Sequence, residues 1–172
     1  MREKQGPIRV AIVGVGVMGR DHLRNARAIE AETPGVLEVV GLADVDLARA
    51  QALAAHPDHP ERAPLPTFTT PAALFAATHP DVAIIATPHP LHEDGALAAA
   101  AAGIHVLCEK PIAHTPASAD RIVQACRDAG DLLGMDFNQR LTPGYVKALE
   151  MIAHGEIGRI YRDRKSTRLN SS

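Results

Sequence analysis

The residues with the clearest chemical pattern lie near the amino terminus, where three glycines follow an apolar run. Gly14, Gly16 and Gly19 form a Gly-x-Gly-x-x-Gly pattern directly after Ile8–Val13. In such a pattern the first glycine permits a tight turn, the second lets the backbone approach a pyrophosphate, and the third lets a helix pack closely on a strand. A glycine-rich turn without a ligand is the alternative. The expected dinucleotide contacts are Gly14, Gly16, Val17, Met18 and Gly19.

An acidic residue follows the second apolar run of the sequence. Asp44 lies 25 residues after Gly19, near the spacing at which a carboxylate accepts hydrogen bonds from the hydroxyls of an adenosine ribose. The carboxylates of Asp44 and Asp46 would repel a 2′-phosphate, so we expect NAD as the cofactor rather than NADP. Arg20 or Arg49 could reach the same place and weaken this preference. A cap on the following helix is the alternative role for Asp44, and the two roles are compatible.

Polar residues, with prolines among them, also follow two later apolar runs. They are Thr87, Pro88 and His92 after the first of these runs, and Glu109, Lys110 and Pro111 after the second. Ligands of open α/β sheets bind beside the carboxyl ends of the strands, so charged side chains at these places face a ligand crevice. Lys110 could donate a hydrogen bond to a substrate hydroxyl or carry its proton. An exposed lysine in a loop is the alternative.

The elements that would position these residues alternate along the chain. Apolar runs of strand length are separated by alanine-rich helical stretches, which predicts an α/β fold with a doubly wound, mostly parallel sheet of the Rossmann type. The predicted strands are Ile8–Val13, 36–43, a short one at Phe68, 81–86, His105–Cys108 and 132–137. The predicted helices are 18–30, 46–55, one opened by Pro71, one from Pro90 to Ala102, 115–129 and 143–154. We expect helix-ending turns at Gly103, Gly130 and Gly155, a proline-rich loop over 56–66, and a strand starting at 158–161.

Composition excludes several classes of function. The 172 residues carry a formal net charge of -2, which provides no basic face for nucleic acid. The longest alanine-rich run, 96–104, is too short to cross a bilayer, and the amino terminus lacks a cleavable signal, so we expect a cytoplasmic protein.

Cys108 and Cys126 form no paired motif and are expected to be buried. His89 and His92 have no further ligand beside them, so no metal site is expected.

Together these motifs resemble the Gfo/Idh/MocA oxidoreductase family over about residues 8–161. The glycine loop is shared by many families, whereas its combination with Glu109-Lys110-Pro111 is specific. The resemblance implies NAD(P)-dependent hydride transfer to or from a sugar, cyclitol or related polyol, with Lys110 as a catalytic residue. The further cofactor-binding residues that it implies are Asp44, Thr87, Pro88, His92, Glu109, Lys110 and Asn138.

Members of that family are longer than this chain. Their second domain supplies a catalytic histidine, the substrate pocket and usually the interface of a homo-oligomer. We therefore expect residues 1–161 to be the nucleotide-binding domain, truncated before a second domain, and 162–172 to be a non-native or disordered tail. Such a chain should bind cofactor with little turnover. Two alternatives stay open, namely a non-catalytic nucleotide-binding module and an S-adenosylmethionine-dependent methyltransferase, which also suits a glycine loop followed by an acid.

Overall fold

The computed structural model describes residues 6–55 and 63–159. Within these ranges, parallel strands form one sheet in the order β3-β2-β1-β4-β5-β6. The strands are β1 (Ile8–Val13), β2 (Leu37–Ala43), β3 (Thr67–Phe68), β4 (Val82–Ile85), β5 (His105–Cys108) and β6 (Leu133–Met135). The α-helices are α1 (Val17–Glu32), α2 (Leu47–Ala54), α3 (Pro71–Thr78), α4 (His92–Ala101), α5 (Pro116–Ala129) and α6 (Pro143–Ala153). Short 3-10 turns cover His89–Leu91 and Asn138–Leu141.

The chain divides into two compact units, the first ending at Asp136 and the second beginning at Phe137. The first unit contains the whole sheet and helices α1 to α5, and the second contains the later 3-10 turn and α6. The strand order of the first unit is that of the Rossmann fold, in which the chain reverses direction across the sheet between β1 and β4. The predicted doubly wound, parallel fold is therefore confirmed.

The core has two layers because every central strand is covered on both faces. Successive residues of β1 point in opposite directions, so Val10 and Ile12 join one apolar cluster while Ala11 and Val13 join the other. Side chains of α1 and α2 complete the first cluster, notably Leu23, Ala26, Ala50 and Ala54. Side chains of α3, α4 and α5 complete the second, notably Leu74, Phe75, Ala96, Ala99 and Ile122. Burial on both faces explains why the strands lack a polar alternation.

Local signals account for most helix ends. Thr115 caps α5 by accepting a hydrogen bond from the backbone N–H of Ser118, and Pro116 occupies the first helical position. Gly130 adopts the left-handed conformation that ends α5, with φ of 74°. Gly103 and Gly155 also have positive φ after their helices, at 68° and 73°. The three predicted glycine turns are thus confirmed.

Other boundaries differ from those expected. Helix α1 runs on to Glu32 because no glycine or proline interrupts it before Pro34. A 3-10 turn, His89–Leu91, precedes α4. The predicted strand 132–137 is shortened to β6. Of the predicted strand 158–161, the first two residues belong to no strand, and the other two lie outside the described residues, as do 56–62 of the proline-rich loop and the whole predicted tail 162–172. The domain boundary at 161 stays a prediction.

Across residues 6–55 and 63–159, no helix has both the length and the apolar character that a membrane crossing requires.

Replacing Ile12 by Ala tests the central position of β1. Ile12 is fully buried, so we expect the substitution to lower the free energy of unfolding by about 2–5 kcal/mol. Ile29→Ala is the matched control, because Ile29 on α1 is 40% exposed and its truncation should cost less than about 1 kcal/mol. Urea denaturation at constant pH measures both. Equal losses in the two variants would contradict the assigned core.

Candidate functional site

The start of α1 has the properties of an anion-binding site. Gly16 is the residue before the helix, and no side chain caps the helix there. The first turn also contains no aspartate or glutamate. The first N–H groups of a helix have no partner within the helix, and the helix dipole favours negative charge beside them. This end of α1 can therefore hold a phosphate group, as the glycine pattern predicts.

Two of the three glycines are required by close packing of the backbone. A Cβ atom on Gly19 would lie 1.8 Å from the carbonyl oxygen of Gly14. Gly14 has a φ of +86°, and a Cβ there would lie 2.7 Å from the backbone nitrogen of Thr87. A Cβ on Gly16 would meet no atom within 4 Å. The first and third glycines thus serve the packing, whereas the second leaves open space in front of the helix.

Asp44 joins the end of β2 to the glycine loop. Its Oδ2 accepts a hydrogen bond from the backbone N–H of Val15 at 2.8 Å, and its Oδ1 accepts one from the N–H of Asp46 at 2.9 Å. The cap of α2 is Asp46, which accepts a hydrogen bond from the N–H of Arg49. Asp44 is therefore not the cap residue of α2, and its remaining lone pairs are available to a ligand hydroxyl.

A cavity of about 410 Å³ lies in front of these groups. That volume falls within the range of roughly 300–1,000 Å³ that is typical of small-molecule sites. The sequence-predicted residues in its lining are Gly14, Gly16, Val17, Met18, Asp44, Thr87 and Pro88. Arg49 also lines it, and lining residues that the sequence analysis did not single out include Val45, Thr69, Pro71, Leu91 and Asp94. The carboxyl ends of β1, β2 and β4 therefore meet at one cavity.

Two features of the cavity suit a polar ligand with an apolar portion. The hydroxyl oxygen of Thr87 is buried and has no hydrogen-bond partner among the described residues. Buried hydroxyl groups are normally paired, so this oxygen fits a ligand that supplies the partner. Val45 is 84% exposed beside Asp44. An apolar side chain so exposed at a cavity mouth can pack against a flat, apolar ligand surface.

His92 is buried behind the cavity and does not line it. Its Nε2 lies 2.8 Å from the carbonyl oxygen of Thr87, and its Nδ1 lies 3.0 Å from that of Pro111. The ring thus connects the turn after β4 with the turn after β5. The structure gives His92 a supporting place beside the predicted cofactor residues, and its direct contact with a cofactor stays a prediction.

The turn after β5 brings a buried carboxylate next to an exposed amine. Glu109 is 5% exposed, and its Oε1 lies 2.9 Å from Nε2 of His22 on α1. Its Oε2 accepts a hydrogen bond from the backbone N–H of Lys110 at 3.2 Å. Lys110 is exposed, and its Nζ makes no hydrogen bond or ion pair with the described residues. Glu109 and Lys110 are not among the residues that line the cavity described above, and the proton-transfer role of Lys110 stays a prediction.

The buried thiol beside this turn is chemically inert. Burial raises the pKa of the Cys108 thiol to about 12, so the thiol carries no charge near neutral pH. Because thiolates rather than thiols act as nucleophiles and metal ligands, Cys108 serves packing, as expected from the sequence. Cys126 is also buried, and burial raises the pKa of its thiol as well.

The sequence analysis missed one cluster of polar groups in the first unit. His22, Glu109 and Asp136 have potential ligand atoms within 4.8 Å of one another, and these are the groups that could hold a metal ion. His22 and Glu109 lie at hydrogen-bonding distance from each other, so two of the three side chains are in direct contact. Its members are up to 114 positions apart in the sequence, and no local pattern signals their meeting. The absence of a resident metal stays a prediction.

Asn138 belongs to the second unit. It begins the 3-10 turn Asn138–Leu141, in which the guanidinium of Arg140 lies 4.5 Å from the ring centroid of Phe137. The predicted contact of Asn138 with a cofactor stays a prediction.

Comparison with protein families gives a match over residues 8–137. The matching family is described as an oxidoreductase family with an NAD-binding Rossmann fold. The matched segment covers all six strands described above.

Individual relatives are sugar and cyclitol dehydrogenases. The chain is 34% identical to D-glucoside 3-dehydrogenase of Escherichia coli (strain K12), over 90% of this chain and 42% of that protein. It is 35% identical to inositol 2-dehydrogenase of Paracoccus denitrificans (strain Pd 1222), over 85% of this chain and 41% of that protein. The chain thus spans less than half the length of these relatives.

A solved structure shows the same architecture. The WlbA dehydrogenase from Bordetella pertussis, in complex with NADH and UDP-GlcNAcA, aligns with a TM-score of 0.76 and 29% identity. The alignment covers 90% of this chain and 44% of the WlbA chain.

The two roles of glycine in the loop can be separated by substitution. Gly19→Ala should lower the free energy of unfolding by about 3 kcal/mol, at the upper end of overpacking costs, because the new methyl group meets the Gly14 carbonyl oxygen. Gly16→Ala should cost less than about 1 kcal/mol, since its methyl group meets no atom. Thermal and urea unfolding of both variants measure the difference. A Gly16 variant that is as unstable as the Gly19 variant would contradict this geometry.

Proposed function

Because this chain belongs to the oxidoreductase family with an NAD-binding Rossmann fold, we propose that its cavity binds NAD for a dehydrogenase that acts on a sugar, cyclitol or related polyol. The observation that carries the proposal is the arrangement of one uncapped helix start and one carboxylate at the same cavity. A pyrophosphate and a ribose diol need these two groups. The printed activities of the relatives, on a glucoside and on inositol, support the substrate class.

The adenosine half of NAD would lie between α1 and the end of β2. Gly16, Val17 and Met18 would hold the pyrophosphate through the start of α1. Asp44 would accept hydrogen bonds from the adenosine ribose, because its two oxygens are already oriented by the N–H groups of Val15 and Asp46. The exposed side chain of Val45 would cover one face of the adenine.

The nicotinamide half would extend along the ends of β4 and β5. Thr87, with its unpaired buried hydroxyl oxygen, and Pro88 would border it, and Glu109 would lie at the turn beyond. When bound, NAD supplies the group that accepts or donates the hydride. Lys110 would hold a substrate hydroxyl at its Nζ and take or return the hydroxyl proton.

The cofactor preference depends on the charges around the adenosine ribose. Asp44 and Asp46 oppose a 2′-phosphate. Arg49 lines the same cavity, but its guanidinium is already engaged by Asp46 at 3.1 Å and lies 3.8 Å from Asp44. Two carboxylates and one partly neutralised cation favour NAD over NADP.

In the whole protein, we propose that the substrate pocket, a second proton-transfer residue and the contacts of a homo-oligomer come from outside residues 6–159. Support comes from the relatives, which this chain matches over about 42% of their length. The histidines of the first unit would have no substrate-binding role.

Titration of the chain with NADH and NADPH tests the cofactor site. We expect NADH to bind more tightly than NADPH. Asp44→Ala should weaken NADH binding by about tenfold or more, because a hydrogen bond to a charged group is lost, and should reduce the preference for NADH. Isothermal titration calorimetry measures both dissociation constants. Asp120→Ala, on the exposed side of α5, is the control and should change neither.

The ratio of the two affinities distinguishes a lost contact from a lost fold. A variant that merely unfolds binds both nucleotides less well to the same degree, whereas loss of the Asp44 carboxylate weakens NADH binding more than NADPH binding. Failure of the folded wild-type chain to bind NADH, together with binding of S-adenosylmethionine, would support the methyltransferase alternative.

Turnover tests the proposed chemistry in the whole protein. We expect NAD to be reduced when a cyclitol or glucoside is the substrate. The absorbance of NADH measures this reduction. Lys110→Met should lower kcat by about 100-fold or more, the usual contribution of a general acid or base. NADH binding without turnover on any polyol would instead support the non-catalytic nucleotide-binding module.

A further inference from the structure

His22 lies on α1 where the helix passes the ends of the last two strands. It is one turn beyond Gly19, so it shares the side of α1 that faces the sheet. Its side chain is only 14% exposed. The ring nitrogen Nε2 lies 2.9 Å from Oε1 of Glu109 and 3.6 Å from Oδ2 of Asp136. One nitrogen atom therefore faces two carboxylates.

Those carboxylates are brought together by strand pairing. Cys108 of β5 is in register with Met135 of β6, and Glu109 and Asp136 are the next residues of the two strands. The side chains of Glu109 and Asp136 are 6% and 17% exposed. Repulsion between like charges grows as water is excluded, so a neighbouring hydrogen-bond donor stabilises this pairing of strand ends.

The ring of His22 supplies that donor. A proton on Nε2 can be donated to Glu109, and the same positive edge of the ring faces Asp136. The second oxygen of Glu109 accepts the hydrogen bond from the N–H of Lys110. Both oxygens of Glu109 are thus engaged, and the orientation of this carboxylate is transmitted to the backbone of Lys110.

We propose that His22 is a positioning residue, which bridges Glu109 and Asp136 and thereby holds the turn that carries Lys110. The inference rests on the proposed function, in which this turn borders the nicotinamide half of NAD and the substrate. This role of His22 would give α1 a second function. The helix faces the phosphates at its start and, through His22, supports the nicotinamide end of the same site.

The test uses the full 172-residue chain with three variants: His22→Leu, Asp136→Asn and the double variant. The first measurement is the backbone amide resonance of Lys110 in a ¹H–¹⁵N correlation spectrum without cofactor. We expect His22→Leu to shift this resonance. In the double variant, which adds Asp136→Asn, the Lys110 resonance should return towards its wild-type position. The reason is that the repelling charge is removed and an amide donor replaces it. His105→Leu is the matched control, since His105 faces Asp131 at 3.4 Å from the opposite end of β5.

The second measurement compares NADH with ADP-ribose, which lacks the nicotinamide. His22→Leu should weaken NADH binding by about tenfold and ADP-ribose binding by less than about threefold, and the double variant should regain NADH affinity to within about threefold of the wild type. His105→Leu should change neither affinity.

The outcomes separate a positioning role from a structural one. Equal weakening of NADH and ADP-ribose, or an unmoved Lys110 amide, or failure of Asp136→Asn to restore the His22 variant would each overturn the proposal. If the wild-type chain bound neither nucleotide, the proposed function would fail. The Lys110 resonance would still decide whether His22 holds the turn.

Discussion

The close approach of Gly19 to the carbonyl oxygen of Gly14 determines where α1 can lie. Because a Cβ at position 19 would sit 1.8 Å from that oxygen, only glycine lets the helix start so near the end of β1. The position of the helix start then determines which residues of α1 reach the sheet. Leu23 and Ala26 enter the core, and His22 reaches the ends of β5 and β6. One contact between two backbones thus places both the start of α1 beside the cavity and His22 beside the ends of β5 and β6.

The side chains around the site also hold its backbone together. Asp44 accepts hydrogen bonds from two separate segments at the ends of β1 and β2. His92 contacts carbonyl oxygens of the turns after β4 and β5. Backbone hydrogen bonds also join these strand ends, as between the N–H of Glu109 and the carbonyl oxygen of Ile85, and the contacts of Asp44 and His92 add to them. Side chains predicted to contact the cofactor therefore also help to fix the distances between the strand ends.

The fold and the geometry of the glycine loop could be predicted from the sequence because their signals are local. Continuous apolar runs, the glycine loop and the glycine turns after helices each occupy a few neighbouring residues, and the family match confirms the resemblance to the Gfo/Idh/MocA family. The contact of His22 with Glu109 joins residues 87 positions apart, and the burial of His92 depends on carbonyl oxygens of two different turns. No local sequence pattern predicts that His22 and Glu109, or His92 and these two turns, lie close together.

The two ends of the site differ in how far apart in the sequence their residues lie. The end proposed to hold the phosphates consists of backbone N–H groups and one carboxylate within Gly14–Asp46, and outside this range Gly14 packs against the backbone of Ala86 and Thr87 after β4. The end that carries Lys110 requires β5 and β6 to pair and two carboxylates to approach each other with little water around them. Approach of like charges opposes that pairing, and in the role proposed for His22 its imidazole offsets the opposition. The geometry at Lys110 is therefore the part of the site that is most sensitive to a single distant side chain.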